Sequence, residues 1–176
     1  GFDFVSREYG SRGGQELADW MEANRSRLSG ARPFFFFQHL PITGTTVDSS
    51  CGADGGATKP ILEKFPNCIA FTGHTHRPFV DERQIWQGTF TVLGTPSLSY
   101  AGLPGGHENG EGDRSGHSKQ AMHEIPVRRD LRGGEGFVVN VWSDKVVVER
   151  WDFEEDAEGA PEWLIPLCAC GVEKPY

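Results

Sequence analysis

The chain has 176 residues, of which 37% are hydrophobic, and it carries a formal net charge of -8 at pH 7. This length fits a single domain with a substantial core, and five tryptophans and twelve phenylalanines argue against a disordered protein. The acidic balance argues against a nucleic-acid backbone as the main partner. No apolar run of about eighteen residues is present, so the sequence predicts no membrane-spanning helix.

The chain begins with Gly1 rather than methionine, in sequence that already has the composition of an ordered protein. We therefore expect the native N-terminus to lie upstream. The lack of a signal peptide then carries no information about the compartment, and the sequence leaves the oligomeric state open.

The first half of the chain alternates predicted helices and strands. Residues 15–28 carry apolar side chains at helical spacing and predict a helix, while the apolar run 33–38 predicts a strand covered on both faces. A loop leads to a short helix with Thr58 as its predicted N-cap, and residues 67–72 predict a second apolar strand. This order predicts an α/β layer. The short helix is expected to face inward with Ile61, Leu62 and Phe65.

The second half is rich in β-branched and aromatic residues, which predict strands over residues 85–87, 89–94, 136–142 and 145–151. Ser143 and Asp144 predict a hairpin turn between the last two strands. Residues 95–135 form a long, polar, glycine-rich loop or insertion, which in a compact domain is either functional or partly disordered. Within the acidic tail, residues 152–176, we expect residues 163–166 to dock on the body of the domain.

The four cysteines are Cys51, Cys68, Cys168 and Cys170. The last two lack the CxxC spacing of a zinc knuckle or a redox motif. A disulfide between Cys51 and Cys68 could form in an oxidising compartment. Free thiols, with Cys68 buried in a strand, are the favoured interpretation.

Two of the predicted strands run directly into histidine-containing segments. His39 follows the first strand, and His74 and His76 follow the second. In an α/β sheet, ligand-binding residues gather beyond the carboxyl ends of the strands. If the two strands are parallel neighbours, the three imidazoles converge at one edge.

Histidine is the commonest metal ligand among neutral side chains. On extended backbone, His74 and His76 would point the same way because they are two residues apart. One such histidine would be read as an ordinary solvated or hydrogen-bonded loop residue. Three of them, each following a buried strand, predict a metal site.

These segments resemble the C-terminal half of the calcineurin-like metallophosphoesterases. The resemblance rests on His39 with Pro41, on the motif Gly73-His74-x-His76, and on residues 72–100, where GHTHRPFVDERQIWQGTF and GTPSLSY are similar to a bacterial branch of that superfamily. It extends over most of the chain and is weakest over residues 105–134. It implies that residues 1–176 are the C-terminal part of a single domain, within a four-layer α/β/β/α sandwich with mixed sheets.

The resemblance also implies a metal-dependent hydrolase acting on phosphate mono- or diesters through a dinuclear metal centre and a metal-activated hydroxide. By the family pattern, His39 and His74 hold one divalent or mixed-valence ion and His76 holds the other. Mn, Zn and Fe all suit such ligands. The family's Asp-x-His, Gly-Asp and Gly-Asn-His blocks do not precede His39 in this chain. We therefore expect the catalytic residues upstream, and this chain to be an incomplete fragment that is inactive alone.

Two further residues are weaker candidates for substrate binding. Arg77 follows the motif, and its planar guanidinium suits a phosphate, although such an arginine more often pairs with an acid such as Asp81 or Glu82. Tyr100 ends the GTPSLSY segment and could line the pocket. Two alternatives to the enzyme stay open: a non-catalytic metal- or ligand-binding protein on the same scaffold, and a structural α/β fragment whose histidines are incidental.

Overall fold

The structure is a computed structural model, and it describes residues 11–49, 54–98, 102–103, 106–107 and 134–167. The fold is mixed α/β, in agreement with the prediction. In chain order, the elements are α1 (Ser11–Ala23), α2 (Arg25–Leu28), β1 (Phe34–Gln38), α3 (Lys59–Leu62), β2 (Cys68–Thr72), a 3-10 turn (Glu82–Gln84), β3 (Ile85–Gln87), β4 (Thr91–Gly94), β5 (Gly102–Leu103), β6 (Gly106–His107), β7 (Glu135–Val141), β8 (Lys145–Asp152) and β9 (Ala157–Pro166). None of the helices in these ranges has the length and apolar character needed to cross a bilayer.

The first sheet has the strand order β1-β2-β4-β3. Strands β1, β2 and β4 are parallel, and β3 runs antiparallel to β4. Phe34 lies opposite Cys68 and Gln38 lies opposite Thr72, so β1 and β2 end level with each other. The prediction that these two strands are parallel neighbours joined across α3 is confirmed, and their carboxyl ends share one edge of the sheet.

Strand β2 is the centre of the described fold, because all five of its residues are buried. Alternate side chains of a strand point to opposite faces, and on β2 each face packs against a different core. Cys68 and Ala70 pack with residues of the helices and adjoining segments, among them Leu17, Met21, Ile61, Leu62 and Phe65. Ile69 and Phe71 pack with Val146, Val148, Trp163 and Ile165 of the second sheet. Helices, first sheet and second sheet therefore form three successive layers.

The second sheet is antiparallel, with the order β7-β8-β9. The predicted hairpin between β7 and β8 is confirmed, and Trp142 N donates to Lys145 O at 2.8 Å across the turn. The predicted docking of the tail is also confirmed, since Trp163 and Ile165 are buried. The docked segment is a ten-residue strand that pairs with β8, and the sequence analysis did not predict this strand.

The predicted helix over residues 15–28 is divided into α1 and α2 at Asn24. This residue has φ -105° and ψ 10°, and its side-chain amide donates to the Trp20 carbonyl at 2.8 Å. Asparagine side chains compete in this way with the helical backbone. Helical periodicity continues across the break, which is why the sequence reads as one helix.

The predicted N-cap of α3 is correct in position but wrong in interaction. Thr58 precedes Lys59, the first helical residue, but it has helical backbone angles and its side chain makes no capping bond. The Thr58 hydroxyl instead donates to Gln38 Oε1 at 3.0 Å. It thereby ties the start of the helix to the end of β1. The inward orientation predicted for Ile61, Leu62 and Phe65 is confirmed, since all three are buried.

Asp54 organises the loop between β1 and α3. Its Oδ1 accepts hydrogen bonds from Thr43 N at 3.1 Å, Thr43 Oγ1 at 2.9 Å and Gly56 N at 3.0 Å. Its Oδ2 accepts one from Thr58 N at 3.1 Å. Burial raises the pKa of this carboxyl, but the hydrogen bonds from Thr58, Thr43 and Gly56 outweigh it, so the pKa of Asp54 lies below its ordinary value of 3.8.

We expect Asp54→Asn to lower the free energy of unfolding by about 2 kcal/mol at neutral pH, because an amide cannot replace an ionised acceptor of several N–H groups. The folded-state pKa is lowered, so this stabilisation exists above the unfolded-state pKa and disappears as the pH falls through the folded-state pKa. The difference between wild type and variant should therefore shrink below pH 3.8. Urea unfolding at neutral pH and at a series of acidic pH values measures it. A difference that stayed constant with pH would contradict the assignment.

The prediction that β1 is covered on both faces is wrong. Phe34 and Phe36 pack against the helical core, but Phe35 is 38% exposed and Phe37 is 68% exposed. The second sheet packs on β2 and β4 through Ile69, Phe71 and Leu93 and leaves this side of β1 open. The result is an apolar groove of about 310 Å³, lined by Phe35, Phe37, Phe71, Thr95, Phe137 and Val139.

Cys68 is a free thiol buried in β2, which confirms the favoured interpretation for this residue. Burial raises the pKa of its thiol and makes it unreactive. Cys51, Cys168 and Cys170 lie outside the described residues. So does most of the predicted loop over residues 95–135, in which the structure describes the short antiparallel ladder of β5 and β6 together with the residues next to β4 and β7.

Candidate metal centre

The structure brings His39 and His74 into contact at the carboxyl edge of the first sheet. His39 follows the last residue of β1, and Gly73 and His74 follow the last residue of β2. Gly73 N donates to His39 O at 3.0 Å, which extends the pairing of the two strands past their ends. Nδ1 of His74 lies 3.3 Å from Nε2 of His39, the ring centroids are 5.2 Å apart, and the ring planes are at 82°. Both side chains are exposed to solvent.

The separation of these two nitrogens fits a metal ion bound between them. Imidazole nitrogens bind zinc at about 2.0–2.1 Å, so two of them on a tetrahedral ion are roughly 3.3–3.4 Å apart. A direct N–H···N bond is also compatible with two neutral imidazoles, but 3.3 Å is longer than the most frequent hydrogen-bond separation of about 2.9–3.0 Å. Two exposed imidazoles with nitrogens at this distance are therefore a suitable donor pair for one ion.

The backbone around the histidines differs from the extended form assumed in the sequence analysis. His74 has φ 74° and His76 has φ 51°, both in the left-handed region. The chain bends directly after β2, and Thr75 N donates to Gly73 O at 2.9 Å within the bend. The two side chains therefore do not point the same way by strand alternation, and that step of the prediction is wrong.

Left-handed backbone is concentrated near this edge. Four non-glycine residues in the described part of the chain have positive φ, and three of them, Asp48, His74 and His76, lie in the loops that follow β1 and β2. Such conformations cost roughly 1–3 kcal/mol each and cluster at functional sites. The loops must therefore be held in place by other interactions.

His76 is half-buried, and its Nδ1 atom is shielded from solvent. Across residues 11–49, 54–98 and 134–167 there is no group of three or more histidine, cysteine, aspartate or glutamate side chains placed to hold a metal ion. The sequence predicts that His76 lies with His39 and His74 at one edge, and the structure brings His39 and His74 together. The assignment of His76 to a second ion stays a prediction.

Arg77 is a candidate for substrate binding from the sequence, but the structure places its side chain inside the protein. It is 4% exposed, and its Nε donates to Asp48 Oδ2 at 2.6 Å, with Nη2 donating to the same oxygen. The arginine pairs with an acid, as the sequence also suggested, but with Asp48 rather than Asp81 or Glu82. Asp81 is bound by Arg83, and Glu82 contacts Arg150.

The sequence analysis missed Asp48 and Asp54, which order the loop after His39. Both lie in a segment rich in Thr, Ser and Gly, and their partners are distant in sequence, so no local pattern identifies them. Tyr100, the other candidate for substrate binding, lies outside the described residues.

Neither the models of known protein families nor the curated proteins gave a match to this chain. The resemblance to the calcineurin-like metallophosphoesterases therefore depends on the sequence motifs described above, His39 with Pro41 and Gly73-His74-x-His76. The contact between His39 and His74 is the structural observation that bears on it.

Proposed function

We propose that this protein is a metal-dependent phosphoesterase of the calcineurin-like type, which hydrolyses phosphate mono- or diesters at a dinuclear centre. The observation that carries the proposal is the 3.3 Å separation between His39 Nε2 and His74 Nδ1, at the carboxyl edge of two parallel strands. Ligand sites in open α/β sheets occur at this edge. His39 and His74 would hold one ion, and His76 would bind a second. Mn, Zn and Fe are the candidate ions because all accept imidazole.

The four-layer α/β/β/α architecture of that superfamily is part of the proposal. Its support is a pair of exposed apolar side chains on the second sheet's outer face, which also carries the polar pair Asn140 and Glu149. Val138 and Leu164 alternate with the buried residues of their strands, so they point away from the first sheet. They are 36% and 52% exposed, respectively, and a further helical layer would cover such a face.

In this proposal, the histidines of this chain would bind the metal ions and orient them. When bound, the ions would polarise a phosphoryl oxygen and lower the pKa of a water molecule. The exposed rings of His39 and His74 leave their edge of the sheet open to a phosphate ester arriving from solvent. The Gly73 N to His39 O bond fixes the two strand ends, and thereby the distance between the imidazoles.

We expect this chain to hydrolyse p-nitrophenyl phosphate and its bis-ester very slowly or not at all. The reason is that the Asp-x-His, Gly-Asp and Gly-Asn-His blocks, which would supply the bridging carboxylate and the catalytic histidine, do not precede His39. Assays with added Mn, Zn or Fe, with and without a chelator, test this expectation. Ordinary turnover that a chelator abolished would mean that the chain contains a complete catalytic site.

The second candidate is a non-catalytic metal- or ligand-binding protein on the same scaffold. It is favoured by one observation, since the described residues bring together a pair of potential ligands rather than a group of three or more. The two functions differ in one measurement. Metal binding without chelator-sensitive hydrolysis, in a form of the protein that also carries the upstream blocks, would favour the non-catalytic function.

A further inference from the structure

We propose that Asp48 and Arg77 form a clamp that positions the two histidine-bearing loops, so that Arg77 acts on the metal centre through Asp48 rather than by contacting substrate. The inference rests on the proposed function, because it gives Arg77 a role in placing the proposed metal ligands. Arg77 is therefore a positioning residue.

The first step is the location of the two partners. Asp48 lies in the loop that begins with His39 after β1, and Arg77 directly follows His76 in the loop after β2. Arg77 Nε and Nη2 both donate to Asp48 Oδ2. The ion pair therefore joins one loop that carries a proposed ligand to the other.

The second step is burial. The Arg77 side chain is 5% exposed and that of Asp48 is 19% exposed, so solvent screens this pair much less than a surface ion pair. Removal of one partner from a buried pair leaves the other charge uncompensated. With its guanidinium enclosed and directed at Asp48, Arg77 is not presented to a substrate in solvent.

The third step is the backbone that the clamp holds. Asp48, His74 and His76 all have positive φ, a conformation that persists only where the surroundings fix it. The backbone bonds Gly73 N to His39 O and Val47 N to Arg83 O, at 3.0 and 3.1 Å, also connect these loops. The clamp adds a charged side-chain link, and its loss should loosen the strained turns that set the imidazole positions.

The matched control is Arg83, whose side chain forms an ion pair with Asp81 in its own segment. Its Nε donates to Asp81 Oδ1 at 2.9 Å and its Nη2 to Asp81 Oδ2 at 2.9 Å. Asp81 lies in the same segment, two residues before Arg83. Arg83→Met therefore removes a nearby arginine–aspartate pair while leaving the pair of Asp48 and Arg77 intact.

The test compares wild type with Arg77→Met, Asp48→Asn, the double variant, the conservative Arg77→Lys, and Arg83→Met. Affinity for Co²⁺ and its visible absorption spectrum report the metal centre. Amide hydrogen exchange of Gly73 and Val47 in the absence of metal reports the link between the loops. Circular dichroism identifies any variant that fails to fold, and Asp48→Asn removes the charge while keeping nearly the same side-chain size.

Arg77→Met and Asp48→Asn are expected to weaken Co²⁺ binding roughly 10–100-fold, the usual effect of losing a group that orients a ligand. They should also alter the Co²⁺ spectrum and speed exchange at Gly73 and Val47. The double variant should bind Co²⁺ about as weakly as the two single variants, since the two residues act as one unit. Arg77→Lys should recover part of the affinity, and Arg83→Met should leave it nearly unchanged.

Wild-type affinity, spectrum and exchange in Arg77→Met would overturn the clamp, as would an equal effect of Arg83→Met. Failure of the proposed function has a different signature. If wild type binds no metal but Arg77→Met still speeds exchange at Gly73 and Val47, the link between the loops stands. The metal centre is then rejected, and with it the role of Arg77 toward ligands.

Discussion

Replacement of His39 or His74 by alanine should weaken binding of one metal ion by more than about 100-fold, since loss of an outer-shell partner alone costs roughly 10–100-fold. The two nitrogens that face each other at 3.3 Å act as a pair, so either variant leaves a single imidazole at that position. Titration calorimetry with Zn²⁺ or Co²⁺ measures the loss. Because both side chains are exposed, neither change should unfold the protein.

His76→Ala is the matched comparison. If His76 binds a second ion, this variant loses that ion and keeps the one held by His39 and His74. Metal stoichiometry of the full-length single variants, with anomalous scattering to locate the remaining ion, distinguishes the sites. Should His74→Ala and His76→Ala deplete the same ion and retain the same one, the assignment to separate ions is wrong.

The largest effect on stability is expected at Arg150, which is 1% exposed between the first-sheet loops and β9. Its Nη1 donates to the Phe79 carbonyl at 2.9 Å, and its Nε donates to the Pro161 carbonyl at 2.7 Å. Its guanidinium carbon lies 4.5 Å from the ring centroid of Trp163. One side chain therefore holds the loop containing Phe79, the strand β9 and a core aromatic ring together.

Arg150→Met should lower the free energy of unfolding by about 3–5 kcal/mol, because it leaves two carbonyls without a donor and removes the ion pair with Glu82. Methionine retains much of the aliphatic length, so the loss comes mainly from the carbonyls of Phe79 and Pro161. Urea unfolding followed by tryptophan fluorescence measures the change.

Arg27→Met is the control for Arg150→Met. Arg27 is an exposed arginine of α2, and surface substitutions of this kind usually change stability by less than about 0.5 kcal/mol. If Arg150→Met were as stable as Arg27→Met, the carbonyls of Phe79 and Pro161 would have to find other donors, and the network described here would be unnecessary.

The central strands were predictable from the sequence because each carries its own signal. Residues 67–72 form an apolar run, which is the sequence pattern typical of a strand buried on both faces. All five residues of β2 are buried. The same pattern was misleading for β1, since four successive phenylalanines do not reveal that the strand lies at the edge of its sheet. Sheet order depends on contacts distant in sequence, and an apolar run does not encode it.

Strand β9 and the break at Asn24 illustrate a different limit. The segment around Gly159 and Pro161 has low intrinsic β propensity, and it is a strand because β8 supplies its hydrogen bonds. At Asn24, the end of α1 is accompanied by a hydrogen bond from the residue's own side chain to the Trp20 carbonyl. In both cases a tertiary or local polar contact decides the structure against the periodicity of the sequence.

The location of the candidate site was predictable from the sequence, but the interactions that hold its loops in place were not. The parallel connection of β1 and β2 suffices to bring His39 and His74 to one edge, because the two strands end level. The left-handed turns at His74 and His76, by contrast, depend on their surroundings. So does the pairing of Arg77 with Asp48, which joins residues from two different loops and has no local sequence signal.

The open side of β1 has a consequence for how this protein behaves at high concentration. In the described part of the chain, β1 is one of the two edge strands of its sheet, and its own side chains Phe35 and Phe37 are exposed. Edge strands in soluble proteins are usually protected by charged residues, proline or a bulge, whereas the body of β1 reads FFFFQ. An unprotected, aromatic edge of this kind is a template onto which a strand from another molecule can add. We therefore expect this chain to self-associate as its concentration rises, through the edge of β1.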